Sequence, residues 1–397
     1  MITRTEIESM AARLDVHPSH VQRDYVHGWL LSAFYSQSKL ARQLVLKGGN
    51  CLRKAYFTNG RYSRDLDFST SAEVSRDELC RELNAICATV EQRAGVKFEL
   101  DRTRVQDKRG ADADKIVSEA RLYFDDFYGE RSELVLGVKL DVTQFDRLYL
   151  PIQERKLIHP YSDAEVCAAT IRCVKLEEAL ATKMRCLLQR RHIADLYDLA
   201  YPLMKGDLEV NRSELTGVLF QITIFGRRPG IVKGLLLDLP FEALARFWDR
   251  YISCPNPGVF SFAEARESLA SLADALFPGA PIREWSPVFF PATLRNPIME
   301  AADSQTLLRL RYSGVDRLVE PYSLTFKSRR DGIGREYLYA YDTTGGRASG
   351  PSIKAFVPGN VQAVENTDVD FEPRFEIELK KAGGAETLGR FEGRKSG

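Results

Sequence analysis

The stretch Lys47–Phe68, KGGNCLRKAYFTNGRYSRDLDF, constrains this chain more than any other. Two glycines follow the apolar run Leu44-Val45-Leu46, the pattern of a short buried strand that ends in a sharp turn. Glycine permits the left-handed backbone and close approaches that such a turn needs. The spacing predicts a helix starting near Cys51. Unpaired N–H groups at a helix start favour an anion, so Gly48, Gly49 and Asn50 read as a phosphate cradle. Farther on, Asp65 and Asp67 flank Leu66. On a strand the period of two turns both carboxylates to one face. Two like charges so close call for a cation, and a hard, oxygen-liganded ion such as magnesium fits.

A third acidic position stands out on the run Leu134–Val142, LVLGVKLDV, which reads as a buried strand. A charge there is costly unless satisfied. Asp141 is therefore either a paired structural carboxylate near a strand end or a third metal ligand. Asp146, five residues on, has the opposite strand parity and is the weaker candidate.

Turn and DxD pair together resemble the nucleotidyltransferase superfamily, and more narrowly the AbiEii/AbiGii toxin family. The matching residues are Lys47, Gly48, Gly49, Leu52, Arg53 and Lys54, then Arg61, Ser63, Asp65, Leu66, Asp67 and Phe68. Asn50 stands where Ser or Thr is usual, and Arg64 where Glu is common. The resemblance implies that Asp65, Asp67 and Asp141 hold one or two magnesium ions. It implies that Lys47, Gly48, Gly49, Asn50, Arg53 and Ser63 contact an NTP. In residues 171–204, two predicted helices with a joint at Arg190–Ile193, a further motif is matched by Lys183, Asp195 and Asp198. Lys183 would balance the triphosphate as a point charge, and the two aspartates would orient it or the acceptor. The reaction implied is NMP transfer from an NTP to an RNA, in particular a tRNA 3′ end, by a toxin of phage defence paired with a separately encoded antitoxin. Two alternatives share these residues: NMP transfer to a protein hydroxyl, and a non-catalytic nucleotide or nucleic-acid sensor.

At 397 residues the chain exceeds one ordinary core, so two or three domains are expected. The opening lacks an uninterrupted apolar segment and no stretch reaches the ~18 apolar residues that span a bilayer, so a cytoplasmic protein without a membrane partner is expected. Seven scattered cysteines, never spaced CxxC, point to neither zinc nor a disulfide framework. A net charge of +1 requires any nucleic acid to be held by local basic patches. The five histidines form no ligand pattern.

The expected fold class is α+β. Residues 1–165 form a nucleotidyltransferase core with N-terminal helices and a small mixed sheet, and 166–285 its helical second half. Prolines at 278, 281, 287 and 291 mark a boundary. From 286 to 380, a short helix and about five strands predict a small SH3-like barrel, and 381–397 a disordered tail. The residues around Arg309–Gly314, Arg317–Tyr322, Glu336–Leu338 and Ile353–Phe356 look like a WYL domain, with Glu336 in place of the Trp that names it and Asn360 in place of an Arg. That resemblance implies a regulatory module for a nucleic-acid or nucleotide ligand, contacted by Arg309, Arg311, Arg317, Tyr322, Tyr337 and Lys354. Cations and aromatic faces in one segment are the ingredients of single-strand recognition.

Overall fold

The computed structural model describes residues 2–109, 116–125, 127, 136–223, 229–239, 241–279, 290–328, 334–345, 350–375 and 377. The expected tail, most of the proline-rich boundary and most of the cationic loop after Lys327 lie outside them. Two units form: Met1–Ala181 with Tyr201–Val218 and Ser253–Phe260, and Thr182–Ala200 with Leu219–Ile252 and Ser261–Gly397.

The first unit opens with α1 (Arg4–Leu14) and α2 (Pro18–Gln37). The segment His17-Pro18-Ser19 separates α1 from α2 and starts the second helix. Pro18 sits in the first turn, where its missing N–H costs nothing, and the His17 side chain accepts from the Ser19 amide. Strand β1 (Val45–Lys47) leads into α3 (Gly48–Cys51), which continues as a wider turn over Leu52–Tyr56. Next come β2 (Asp65–Ser69) and α4 (Arg76–Ala94), capped by Ser75 and ended by left-handed Gly95. The remaining strands are β3 (Arg104–Arg109), β4 (Ile116–Phe124), β5 (Leu136–Gln144), β6 (Gln153–Lys156) and β7 (Thr170–Cys173). Before β3, Leu100–Arg102 coil into a 3-10 turn.

Among the described residues these seven strands form one mixed sheet, ordered β3-β4-β5-β2-β1-β7-β6, larger than the small sheet expected. β2 runs parallel to β5 and β1 parallel to β7; the other pairs are antiparallel. Alternation then sorts the side chains. Leu66 and Phe68 of β2 and Val138, Leu140 and Val142 of β5 are buried, with Phe68 against Phe34 of α2. The intervening polar residues take the opposite face.

Residues of α2 also tie down the loop before β7. Asp163 accepts from the Tyr25 hydroxyl at 2.6 Å and the Trp29 indole at 3.1 Å, and pairs with His159 at 3.0 Å. Gly28 makes room, since a β-carbon there would lie 2.1 Å from His159 Nδ1. Burial pushes His159 down to about 4 and His27 of α2 down to about 3. Both stay neutral in the fold while an unfolded chain protonates them near pH 6.5. Below that pH the unfolded state binds more protons, so unfolding free energy is expected to fall on acidification, by up to about 1.4 kcal/mol per pH unit per imidazole. Urea titrations at pH 7 and pH 5 measure this drop, and a flat profile would contradict neutral buried imidazoles.

In the second unit the rest of α5 (Leu176–Arg190) and α6 (Ile193–Met204, its last turn in the first unit) contribute the segment around Arg191. The helices α7 (Arg212–Ile222), α8 (Pro229–Leu237), α9 (Phe241–Ala245), α10 (Trp248–Tyr251) and α11 (Phe262–Leu276) follow in sequence, α7 divided between the units. Then α12 (Ala292–Ser304) packs Ile298, Ala301 and Ala302 onto β8 (Thr306–Tyr312), β9 (Val315–Ser328) and β10 (Gly334–Asp342), through Leu308, Leu310, Val319, Leu324, Leu338 and Ala340. β11 (Ser352–Phe356) and β12 (Val361–Asp370) complete a sheet of order β11-β10-β9-β8-β12.

That sheet has the five strands expected, and the closure of an SH3-like barrel is not seen among the described residues. Closure would pair β11 with β12, and among the described residues these are the two edges of an open antiparallel sheet. Glu336 is buried in this unit, its carboxylate held by Arg191, Arg295 and the Phe290 amide. Burial alone would raise its pKa; the two guanidiniums hold it below the ordinary carboxylate range.

Candidate active site

Strand register assembles the acidic cluster. Lys47 pairs with Asp67, Asp67 with Asp141, Asp65 with Lys139, and Glu119 with Asp141. Directly paired residues share a face. Four neighbouring strands thus present Glu119, Asp141, Asp67 and Lys47 in one row, with Lys139 and Asp65 in the row beside it. Burial, and next the neighbouring Asp67, push Asp65 up to about 6.

The glycine turn lies directly against this row. Gly48 has a φ of 76°, and a β-carbon on it would fall 2.1 Å from Asp67 Oδ2. On Gly49 a β-carbon would meet Ser63 Oγ at 2.8 Å and an Arg61 guanidinium nitrogen at 2.9 Å. The turn therefore brings its backbone against one of the two DxD carboxylates and against Ser63. Gly48→Ala is expected to cost about 1–2 kcal/mol for the left-handed backbone. It should also displace Asp67, lowering turnover about 100-fold. Denaturation midpoints and initial rates measure the two effects separately, and an active Gly48→Ala would sink the contact.

Three residues that the resemblance assigns to NTP contact have protein partners. Asn50 is fully buried and donates to the Asp65 carbonyl at 2.6 Å, which ties the turn to β2. Arg53 is 3% exposed, donates to Asp24 Oδ1 at 2.6 Å and to the carbonyls of Thr58 and Gly60, and stacks on Tyr62 with its guanidinium carbon 3.9 Å from the ring centre. It shapes the loop into β2. Lys47 donates to Asp146 Oδ2 at 2.8 Å and Thr143 Oγ1 at 2.9 Å, while Ser69 donates to the same Asp146 oxygen at 2.6 Å. Asp146 thus serves as the structural partner of Lys47.

Lys139 and Glu119 were missed. The Lys139 ammonium lies 2.5 Å from Asp141 Oδ2 and 3.4 Å from Glu119 Oε2. Its strand parity, two residues before Asp141, was the available signal. Asp141 Oδ1 is buried with no hydrogen-bond partner. Among the described residues no three His, Cys, Asp or Glu side chains close around one point. The donor set of Asp65, Asp67 and Asp141, three hard carboxylates with one buried unpaired oxygen, suits magnesium. Asp141 is turned to Lys139.

Lys183, Asp195 and Asp198 come together in the second unit. The Lys183 ammonium lies 2.7 Å from Asp198 Oδ2 and 3.3 Å from Asp195 Oδ1, and Arg190 grips Asp195 with two bonds of 2.7 and 2.8 Å. Burial would raise Asp195, but Lys183 and Arg190 hold it well below the usual range.

The proposed ligand residues of the C-terminal sheet do not form one set. Arg309 and Arg311 are exposed, with loose partners at 3.9 and 3.8 Å. Arg317 and Lys354 both bind buried Asp342, which sequence reasoning missed. Tyr322 is buried and donates to Glu320, and Tyr337 is half-buried beside Tyr339.

A turn packed on a DxD strand, with a third carboxylate in register, defines a nucleotidyltransferase. The family model for "Nucleotidyl transferase AbiEii toxin, Type IV TA system" matches residues 29–269, and the chain belongs to that family. It is a nucleotidyltransferase toxin of a type IV toxin–antitoxin system. One similar solved structure is MenT4, the nucleotidyltransferase toxin Rv2826c from Mycobacterium tuberculosis H37Rv. It is 20% identical with a TM-score of 0.44, over 72% of this chain and 95% of that one. A comparison with curated proteins finds no match. Among the described residues no helix is long and apolar enough to cross a membrane.

Proposed function

We propose that this toxin transfers an NMP from an NTP to an RNA acceptor, the 3′ end of tRNA, and thereby arrests growth in phage defence. The reading is carried by the register that sets Asp67 beside Asp141 while Gly48 lies against Asp67. Asp65, Asp67 and Asp141 would hold the magnesium, which when bound neutralises phosphate charge and activates the attacking hydroxyl. Gly48 and Gly49 leave room for the outer phosphates, with the half-buried Ser63 hydroxyl beside them. Asn50 and Arg53 act through the backbone, fixing β2 and the loop before it. Lys183, Asp195 and Asp198 enter as the family's further residues for the same reaction. The resemblance to a WYL domain makes the C-terminal sheet a regulatory module for nucleic acid or nucleotide. An antitoxin partner follows from the family, and the cytoplasm, where NTP and tRNA are found, is the proposed location.

Incubation with each α-labelled NTP, magnesium and total tRNA tests this reading, alongside Asp65→Ala and Asp67→Ala. Label on RNA with the unaltered chain alone is the expected result. Label on protein instead would overturn the choice of acceptor, and no label with bound NTP would overturn transfer.

A further inference from the structure

Among the carboxylates of the candidate active site sits a cation the family motifs leave without a role. Lys139 belongs to β5, directly opposite Asp65 on β2 and two residues from Asp141 on the same face. Its ammonium bonds Asp141 Oδ2 at 2.5 Å and lies 3.4 Å from Glu119 Oε2. Glu119 is already balanced by Lys108 at 2.7 Å and Arg121 at 3.2 Å, so the closest claim on Lys139 is that of Asp141. The other oxygen of Asp141 is buried and without a partner. Three carboxylates stand at adjacent register positions, yet among the described residues no three acidic side chains close on one point, and the third carboxylate is held by an ammonium.

We propose that Lys139 is a resident counter-cation that competes with the divalent ion for Asp141, so that metal binds well only when an NTP is present to receive the displaced ammonium. The inference rests on the nucleotidyltransferase reading and deepens it. Without nucleotide, a divalent ion must expel a cation from a cluster already partly neutralised, and the freed ammonium is left with Glu119, whose charge Lys108 and Arg121 already balance. With nucleotide, the phosphates supply a new anionic partner on the same side of the sheet. Metal and nucleotide should therefore bind with positive coupling, and by linkage each should strengthen the other by the same factor. A side chain about 23% exposed has room to leave Asp141. Lys139 is then a positioning residue: it keeps Asp141 from binding metal unproductively and moves to the substrate's charge when the complex forms.

The test is Mn²⁺ binding to the full chain, followed by titration calorimetry and by the loss of the free-ion spin-resonance signal, with and without a non-hydrolysable NTP. Lys139→Met removes the charge at similar length and Lys139→Arg keeps it. Thermal melting establishes that both variants fold, with Lys139→Gln replacing any that does not. For Lys139→Met the expected result is at least about tenfold tighter Mn²⁺ binding without nucleotide, with the coupling to the NTP analogue lost. Lys139→Arg should behave as the unaltered chain. Equal or weaker Mn²⁺ binding by Lys139→Met would overturn the competition, while nucleotide-dependent Mn²⁺ binding abolished by Asp65→Asn would leave the metal reading standing. If neither the unaltered chain nor any variant binds Mn²⁺, with or without nucleotide, the metal reading itself falls and this inference with it.

Discussion

Asp67→Asn is expected to abolish nucleotide transfer while the chain stays folded. Asparagine keeps the size of the side chain that lies against Gly48 and removes the charge. The loss should be about 1,000-fold or more, since each factor of ten in rate is ~1.4 kcal/mol and a metal ligand supplies several. Stability should hold or rise slightly, because Asp65 loses the neighbouring charge that, after burial, raises it. Label incorporation and urea midpoints separate the two effects. An Asp67→Asn chain with more than a tenth of the normal rate would remove the DxD pair from the mechanism.

Asp24→Ala should have the largest effect on stability. The Asp24 carboxylate accepts from Arg53 at 2.6 Å, Lys54 at 2.8 Å and the Tyr161 hydroxyl at 2.8 Å, all within the buried interior of the first unit. Removing it strands two cations, and breaking a buried pair costs roughly 3–5 kcal/mol. Burial would raise Asp24, yet Arg53 and Lys54 hold it far below the ordinary carboxylate value. Its contribution is therefore full above about pH 4 and lost only in stronger acid, well below the range where the histidines act. In Asp24→Asn, Lys54 can release its proton and Arg53 cannot. The unfolded state then binds more protons than the folded one below the ordinary lysine pKa, so the deficit should shrink as pH rises. Urea titrations of both variants at pH 7 and pH 9 measure this. A deficit under 1 kcal/mol for Asp24→Ala would mean that the cations find other partners.

The site was legible where its geometry is local. A period of two fixes Asp65 and Asp67 on one face from five residues of sequence, and Gly48 announces its own left-handed turn. Asp141 could be named because an acidic residue on a largely apolar strand needs a reason. Pairing across long separations was not legible. No local pattern places Asp24 beside Arg53 or Asp146 beside Lys47, 29 and 99 residues away. The sheet of the second unit shows the same limit. Its five strands were readable from alternation and turns, but barrel closure depends on whether β11 meets β12, which no local pattern encodes. Glu336 was noted only as a missing Trp; its place between Arg191 and Arg295 depends on a residue 145 positions away.

An anomalous difference map from crystals of the full chain grown with Mn²⁺ and a non-hydrolysable NTP decides whether Asp65, Asp67 and Asp141 hold one ion. The expected result is a peak about 2.0–2.2 Å from oxygens of Asp65, Asp67 and Asp141, with the triphosphate beside Gly48 and Lys139 off Asp141. A nucleotide bound elsewhere, or a peak that leaves Asp141 on Lys139, would contradict the three-carboxylate site.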